Sequence, residues 1–211
     1  MFGISNFETF LIAALILNIT PGADTMYILG RSISQGKKAG ILSALGISAG
    51  SLIHCIVAAF GLSVIIATSA ISCGIIKYLG AGYLIVLGVK VLMKKSNKEF
   101  EFEKLNPKKT SNWNIFVSGI LTNILNPKVA LFFLAFLPQF INANNTTNAL
   151  PFIVLGLTFI ATGTIWCLAL AWFSAKLSDK IRKNYRIKIW LDKITGGIFI
   201  ALGVKLALLV K

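Results

Sequence analysis

Acidic side chains are scarce in this chain: seven Asp and Glu stand against 21 Lys and Arg, for a formal net charge of +14. Charged residues of both signs make up 13% of the 211 residues and hydrophobic ones 56%. Soluble domains carry about 25% charged and roughly 45–50% apolar residues. The shortage of charge excludes an ordinary globular core and indicates an integral membrane protein, as does the mean hydropathy of +0.80. The surplus of positive charge gathers between apolar runs instead of along one polar stretch. It therefore points to a lipid bilayer as partner and away from nucleic acid.

Cysteine is limited to Cys55, Cys73 and Cys167, each alone in or beside an apolar segment, with no C-x-x-C spacing. A redox pair, a zinc site and a disulfide framework are excluded on that count. His54 is the sole histidine, and the sequence calls for neither a metal nor another cofactor. No Lys or Arg precedes the first apolar run, where Glu8 is the only charge, and no small-residue cleavage pattern follows it. The run reads as a retained span, not a cleaved signal.

What is abundant is long apolar sequence. At about 20 residues per crossing, the pattern predicts an all-α membrane protein with six transmembrane helices, near 7–29, 41–67, 70–93, 114–137, 150–173 and 190–210. Arg31, Lys37 and Lys38 follow the first. Lys94, Lys95, Lys98, Lys104, Lys108 and Lys109 follow the third, and Lys176, Lys180, Arg182, Lys183, Arg186 and Lys188 the fifth. These three loops share one side, which the positive-inside rule makes cytoplasmic; both termini, the turn near Ser69 and the segment 142–148 then lie outside, with Lys77 and Lys211 the main exceptions to the charge pattern.

Comparison of the two halves reveals an internal repeat. Leu87-Gly88-Val89-Lys90 recurs as Leu202-Gly203-Val204-Lys205, Gly82 matches Gly197, and Phe10 and Pro21 align with Phe116 and Pro127. One transport domain results: repeat one over 1–93, a cytoplasmic linker over 94–112, and repeat two over 113–211. With three helices per repeat, the second copy enters the membrane from the opposite side. Such inverted repeats in secondary transporters place their sites at the midplane, where discontinuous helices meet.

Each first helix is interrupted. Thr20-Pro21-Gly22-Ala23-Asp24-Thr25 breaks one run and Asn126-Pro127-Lys128 the other. Proline removes a backbone donor, and an aspartate at depth costs about 2.5–3.5 kcal/mol on insertion scales. Pro21 and Pro127 both suit a first helical position, from which unpaired N–H groups and the positive helix end can face an anion. The candidate substrate site therefore comprises Thr20, Pro21, Gly22, Asp24, Thr25, Asn123, Asn126, Pro127 and Lys128. Asp24 is the only acid placed well inside a span; it either caps its half-helix, pairs with Lys128, or binds a substrate ammonium while Lys128 or a helix end takes the carboxylate.

An imidazole titrates near ~6.5 in water, so His54 is, with Asp24, a candidate for carrying a coupling proton; a structural hydrogen bond to a neighbouring helix is the other reading. Gly46-Ile47-Ser48-Ala49-Gly50 literally matches G-x-S-x-G. A nucleophile elbow needs a strand-turn-helix, and these residues lie in an unbroken helical run, so no enzyme is expected. Gly46 and Gly50 also form G-x-x-x-G, which serves close helix packing within a subunit or in a homo-oligomer. Trp113, Trp166, Trp172 and Trp190 fall mostly near span ends, as in an interfacial belt.

These residues resemble the lysine exporter (LysE) / homoserine and threonine exporter (RhtB) family of amino-acid exporters. The similar pieces run in order: Thr20–Thr25, Arg31-Ser32, Gly36–Gly40, the Gly46/Gly50/His54 helix, Lys77-Tyr78-Leu79-Gly80 with Tyr83-Leu84, Asn126-Pro127-Lys128, Phe136–Phe140, and Thr195-Gly196-Gly197. The family commonly has a second proline where this chain has Ala23. The resemblance implies efflux of amino acids or related small zwitterions from a bacterial cytoplasm across the inner membrane, driven by proton antiport. A metal-ion or other small-solute exporter of related six-helix architecture is the alternative; it calls for clustered intramembrane carboxylates, histidines or thiolates.

Overall fold

The computed structural model describes residues 3–62, 111–142, Asn145 and 148–183, with isolated helical positions between 82 and 93 and between 193 and 204. The expected third and sixth spans and nearly all of the linker lie outside the described residues. So do Cys73, Lys77, Trp190 and the paired Leu-Gly-Val-Lys segments, apart from single helical positions.

Among the described residues the chain is helical. In order come α1 (Phe7–Ile19), α2 (Ala23–Gln35), α3 (Lys37–Ile56) with π-helical turns over Val57–Leu62, α4 (Asn112–Ile124), α5 (Pro127–Leu131) and α6 (Ala149–Lys183). After α5 the chain widens into a π turn at Phe132–Phe136 and tightens into a 3₁₀ turn at Leu137–Phe140. Pro138 explains the irregularity: it cannot donate to the ladder, and the Leu137 N–H reaches back five residues to Phe132 instead of four.

Two stretches, Lys37–Gly61 (25 residues) and Ala149–Ser174 (26 residues), are long and apolar enough to cross a bilayer alone. Two further pairs qualify as broken spans: α1 with α2, bent by 44°, and α4 with Pro127–Phe140, bent by 50°. Each described half thus opens with a broken helix and continues into a long unbroken one.

Several boundaries correct the sequence reading. The first basic loop is not a loop. Arg31 lies within α2, Lys37 and Lys38 open α3, and Gly36 alone joins the two helices. Its φ of +85° is in the left-handed region, which glycine enters without steric penalty. Likewise α6 does not stop at 173; it carries Lys176, Lys180, Arg182 and Lys183 as further helical turns, since lysine and arginine are good helix formers. Pro21 is not at the first helical position. Gly22, extended at φ −148° and ψ −164°, is the N-cap of α2, which puts Pro21 one residue outside it.

Lipid tails are as apolar as leucine, so close packing must supply the association between helices. The α3–α4 contact shows how. A Cβ on Gly46 would collide with the Phe116 carbonyl, one on Gly119 would stand 2.9 Å from the Ser43 carbonyl, and one on Gly50 2.8 Å from Asn123 Cβ. The G-x-x-x-G pattern therefore serves contacts inside the subunit. Elsewhere Phe10, Phe132, Phe133, Phe136, Phe140, Phe152 and Phe159 form the principal core, with Phe132 and Phe159 stacked at 4.2 Å. Cys55 is a buried free thiol pressed against Gly156. Trp113 and Trp172 are exposed, as a belt requires, but Trp166 packs on the Ile28–Ala44–Ile47 cluster with its indole nitrogen buried.

Contacts at the helix ends sort the molecule into two poles. The N-terminal segment pairs with the end of the second broken span through Ser5 N–H to Phe140 O (2.8 Å) and Asn142 N–H to Gly3 O (2.9 Å). At the opposite pole the Lys37 ammonium sits over the Trp172 ring, joining the start of α3 to the far part of α6.

Candidate functional site

The first break follows from its residues. Thr20 leaves α1 in an extended conformation, and its hydroxyl donates back to Ile16 O at 2.7 Å. Gly22 has no side chain with which to cap α2, and Asp24 falls in the first turn, where the positive end of the helix favours a carboxylate. At the second break Asn126 is the N-cap and Pro127 the first residue of α5; the Asn126 Oδ1 accepts the Lys128 N–H at 3.0 Å. One end is capped by its own side chain, and the other is not.

The breaks meet. Asn123, 1% exposed on the last turn of α4, donates its amide to Asp24 Oδ2 at 2.9 Å and accepts from the Ser51 hydroxyl at 3.1 Å. Its backbone carbonyl receives His54 Nε2 at 3.2 Å. A carbonyl can only accept, so Nε2 carries a hydrogen and Nδ1 is the position that would take a second proton. In the other direction, the Lys128 ammonium reaches from α5 to the end of α1, donating to Leu17 O at 3.1 Å and Thr20 O at 3.0 Å. A Cβ on Gly22 would stand 3.3 Å from that nitrogen.

Asp24 and Lys128 do not bond to each other. Each is held by other groups, and Asp24 Oδ1 is buried with no hydrogen-bond partner. Both line a cavity of about 30 Å³ that also takes in Thr25, Asn123, Ser48, Ser51 and Thr164. Its apolar wall is Ile47, Val129, Phe159 and Ile160. As lined by the described residues it has room on the scale of a water molecule, whereas pockets for small molecules run to ~300–1,000 Å³.

Of the residues expected at the site, Asp24, Thr25, Asn123 and Lys128 line the cavity. Thr20 and Gly22 frame it through their contacts with Lys128, while Pro21, Asn126 and Pro127 shape the breaks without lining it. His54 lies outside the cavity, stacked on Phe133 at 5.9 Å and linked to the site through Asn123. Sequence reasoning did not place Ser48, Ser51, Thr164 or Cys167 there. Ser48 and Thr164 are 2.7 Å apart and bridge α3 to α6. Their signal was the cluster of small polar residues on uninterrupted spans, which packing alone could explain. Asn18, two residues before the first break, also lines the cavity and bonds α6 through Phe159 O (3.2 Å) and Thr162 Oγ1 (3.0 Å).

Comparison with known proteins bears on what this arrangement serves. The model of the LysE type translocator family matches residues 15–209. The chain belongs to that family. Members are membrane translocators, not enzymes, and this chain is a multi-pass membrane protein. It is 37% identical over 203 residues to YrhP of Bacillus subtilis strain 168, described as an uncharacterized membrane protein, covering 93% of this chain and 95% of that one. To the leucine efflux protein of Salmonella typhimurium strain LT2 it is 28% identical over 210 residues, covering 99% and 97%. The leucine efflux protein of Enterobacter sp. strain 638 is 26% identical over 206 residues, covering 98% and 97%. No solved structure matches the chain.

Proposed function

We propose that this translocator is a secondary exporter of neutral amino acids in the bacterial inner membrane, working by proton antiport on an inverted six-helix repeat. The observation that carries the reading is Asp24 Oδ1, buried and unpartnered in a cavity that also holds the Lys128 ammonium. One carboxylate and one ammonium suit a zwitterion: its bound charges balance those of the site, whereas a cationic amino acid would bring a surplus charge into the membrane. Asn123 holds Oδ2, which leaves Oδ1 for the substrate ammonium. The uncapped positive end of α2 and the Lys128 N–H not directed at α1 then face the substrate carboxylate. Ile47, Val129, Phe159 and Ile160 offer an apolar side chain its contacts. The names of the leucine efflux relatives agree with that choice.

The test is uptake of labelled amino acids, one at a time, into inside-out vesicles with an imposed pH gradient. Leucine or a similar apolar amino acid is expected to accumulate when the gradient is present and to stop when it is dissipated. Asp24→Asn removes a charged acceptor worth about 1.5–3 kcal/mol, so transport efficiency should fall ~10–150-fold. Accumulation of no amino acid, or unchanged efficiency in Asp24→Asn, overturns the reading. His54 and Asp24 are the proposed proton carriers. His54→Gln is expected to abolish dependence on the pH gradient while substrate still protects the protein against thermal unfolding.

A further inference from the structure

We propose that the Lys128 ammonium is a tethered cation filling a monovalent-cation site at the carbonyl end of α1, so that the chain supplies from its own sequence a charge other transporters recruit from solution. α1 ends at Ile19, and the last carbonyls of a helix lack intrahelical partners and bear its negative pole. Ile16 O is taken by the Thr20 N–H and hydroxyl. Leu17 O and Thr20 O instead converge on one point, 3.1 and 3.0 Å from Lys128 Nζ. Unwound carbonyls and half-helix C-termini of this kind coordinate Na⁺ in transporters built on discontinuous helices.

Three features make this point a cation site and not an incidental lysine contact. The ammonium arrives from the other break, 108 and 111 residues along the chain. Gly22 leaves the space it needs, since a methyl group there would stand 3.3 Å from Nζ and 3.6 Å from Cε. The ammonium is also a compact point charge with three donors, the closest side-chain equivalent of a small monovalent ion. Asp24 on α2 and Cys167 on α6 line the same cavity, and His54 on α3 reaches it only through Asn123; none of them bonds to Nζ. Two of the three Lys128 donors are thereby committed to α1. An inorganic alkali cation is not needed at this break, and transport is independent of a Na⁺ gradient. The transport consequence rests on the proposed export reading, but the cation site does not.

The experiment measures thermal unfolding of the purified full-length protein in detergent. Choline, sodium and methylammonium chloride are compared at equal ionic strength. The wild type is expected to unfold at the same temperature in all three. Lys128→Ala, which orphans two carbonyls, should unfold roughly 5–10 °C lower in choline and regain most of that loss in methylammonium. Lys128→Gln adds a side-chain oxygen to the two carbonyls and should acquire a response to sodium. A sodium response in the wild type, the absence of any cation response in both variants, or failure of both to fold even when methylammonium is supplied during expression overturns the proposal. Because no amino acid is involved, this outcome is separate from that of the transport assay.

Discussion

At the scale of single residues, Asn123 holds the site together. Its amide nitrogen, amide oxygen and backbone carbonyl serve Asp24, Ser51 and His54, which belong to two other helices. Asn123→Ala strands Asp24 Oδ2 and the Ser51 hydroxyl inside the protein. Leaving such groups unpaired costs about 1–3 kcal/mol, and a lowered unfolding temperature in detergent is the expected readout. Asn123→Asp should be worse than alanine, because it replaces a donor by a carboxylate facing another carboxylate; an Asp variant as stable as wild type would disprove the hub. Asp24, Asn123 and Lys128 were legible because a proline and a charge inside an apolar run call for explanation. Ser51 and Thr164 were not, because a hydroxyl on an unbroken span gives no sign of which neighbour it will meet. The direction of Lys128, toward carbonyls and not toward Asp24, depends on how two distant breaks approach each other, which no local pattern records.

Among the elements, α3 is the one on which the others are registered. Its small-residue face lets the backbone of α4 approach until Gly46 and Gly119 touch, and this approach brings Asn123 within reach of Ser51 and Asp24. Gly46→Ala forces a methyl group against the Phe116 carbonyl, a backbone atom that cannot rotate away. Overpacking typically costs about 1–3 kcal/mol, and here it should also weaken substrate binding by shifting Asn123. Gly61→Ala provides the control, since its nearest neighbour among the described residues would be Val57 Cγ1 at 3.9 Å; unfolding curves of the two variants should separate clearly. The breaks and the G-x-x-x-G face could be read from sequence because proline, glycine and spacing carry them. The helical turns through Lys176–Lys183 could not, because a basic stretch after an apolar run looks the same whether it is coil or helix extending past the membrane.

For the whole molecule, the contacts separate two poles. One holds the N-terminal segment with the Phe140–Asn142 region, and the other holds Lys37 with Trp172. The grouping agrees with the charge map, in which the same two sets of segments fell on opposite sides. From the positive-inside rule we propose that the Lys37–Trp172 pole faces the cytoplasm, and this is open to direct measurement. With Cys55, Cys73 and Cys167 replaced by serine, a membrane-impermeant thiol reagent applied to intact cells should label Asn148→Cys and spare Lys38→Cys, with the reverse in inside-out vesicles. The same label on both positions from one side would refute the orientation.

Gly36 gives this arrangement a mechanical property. With a single residue between them, α2 and α3 have no slack, so a swing of α2 about the Pro21–Gly22 break must carry the head of α3 with it. α2 is 13 residues long, or about 20 Å. Asp24 sits beside the fulcrum and Lys37 just past the tip. A lever of this proportion turns a small displacement beside Asp24 into a larger one at the membrane face, where a path for solute would have to open.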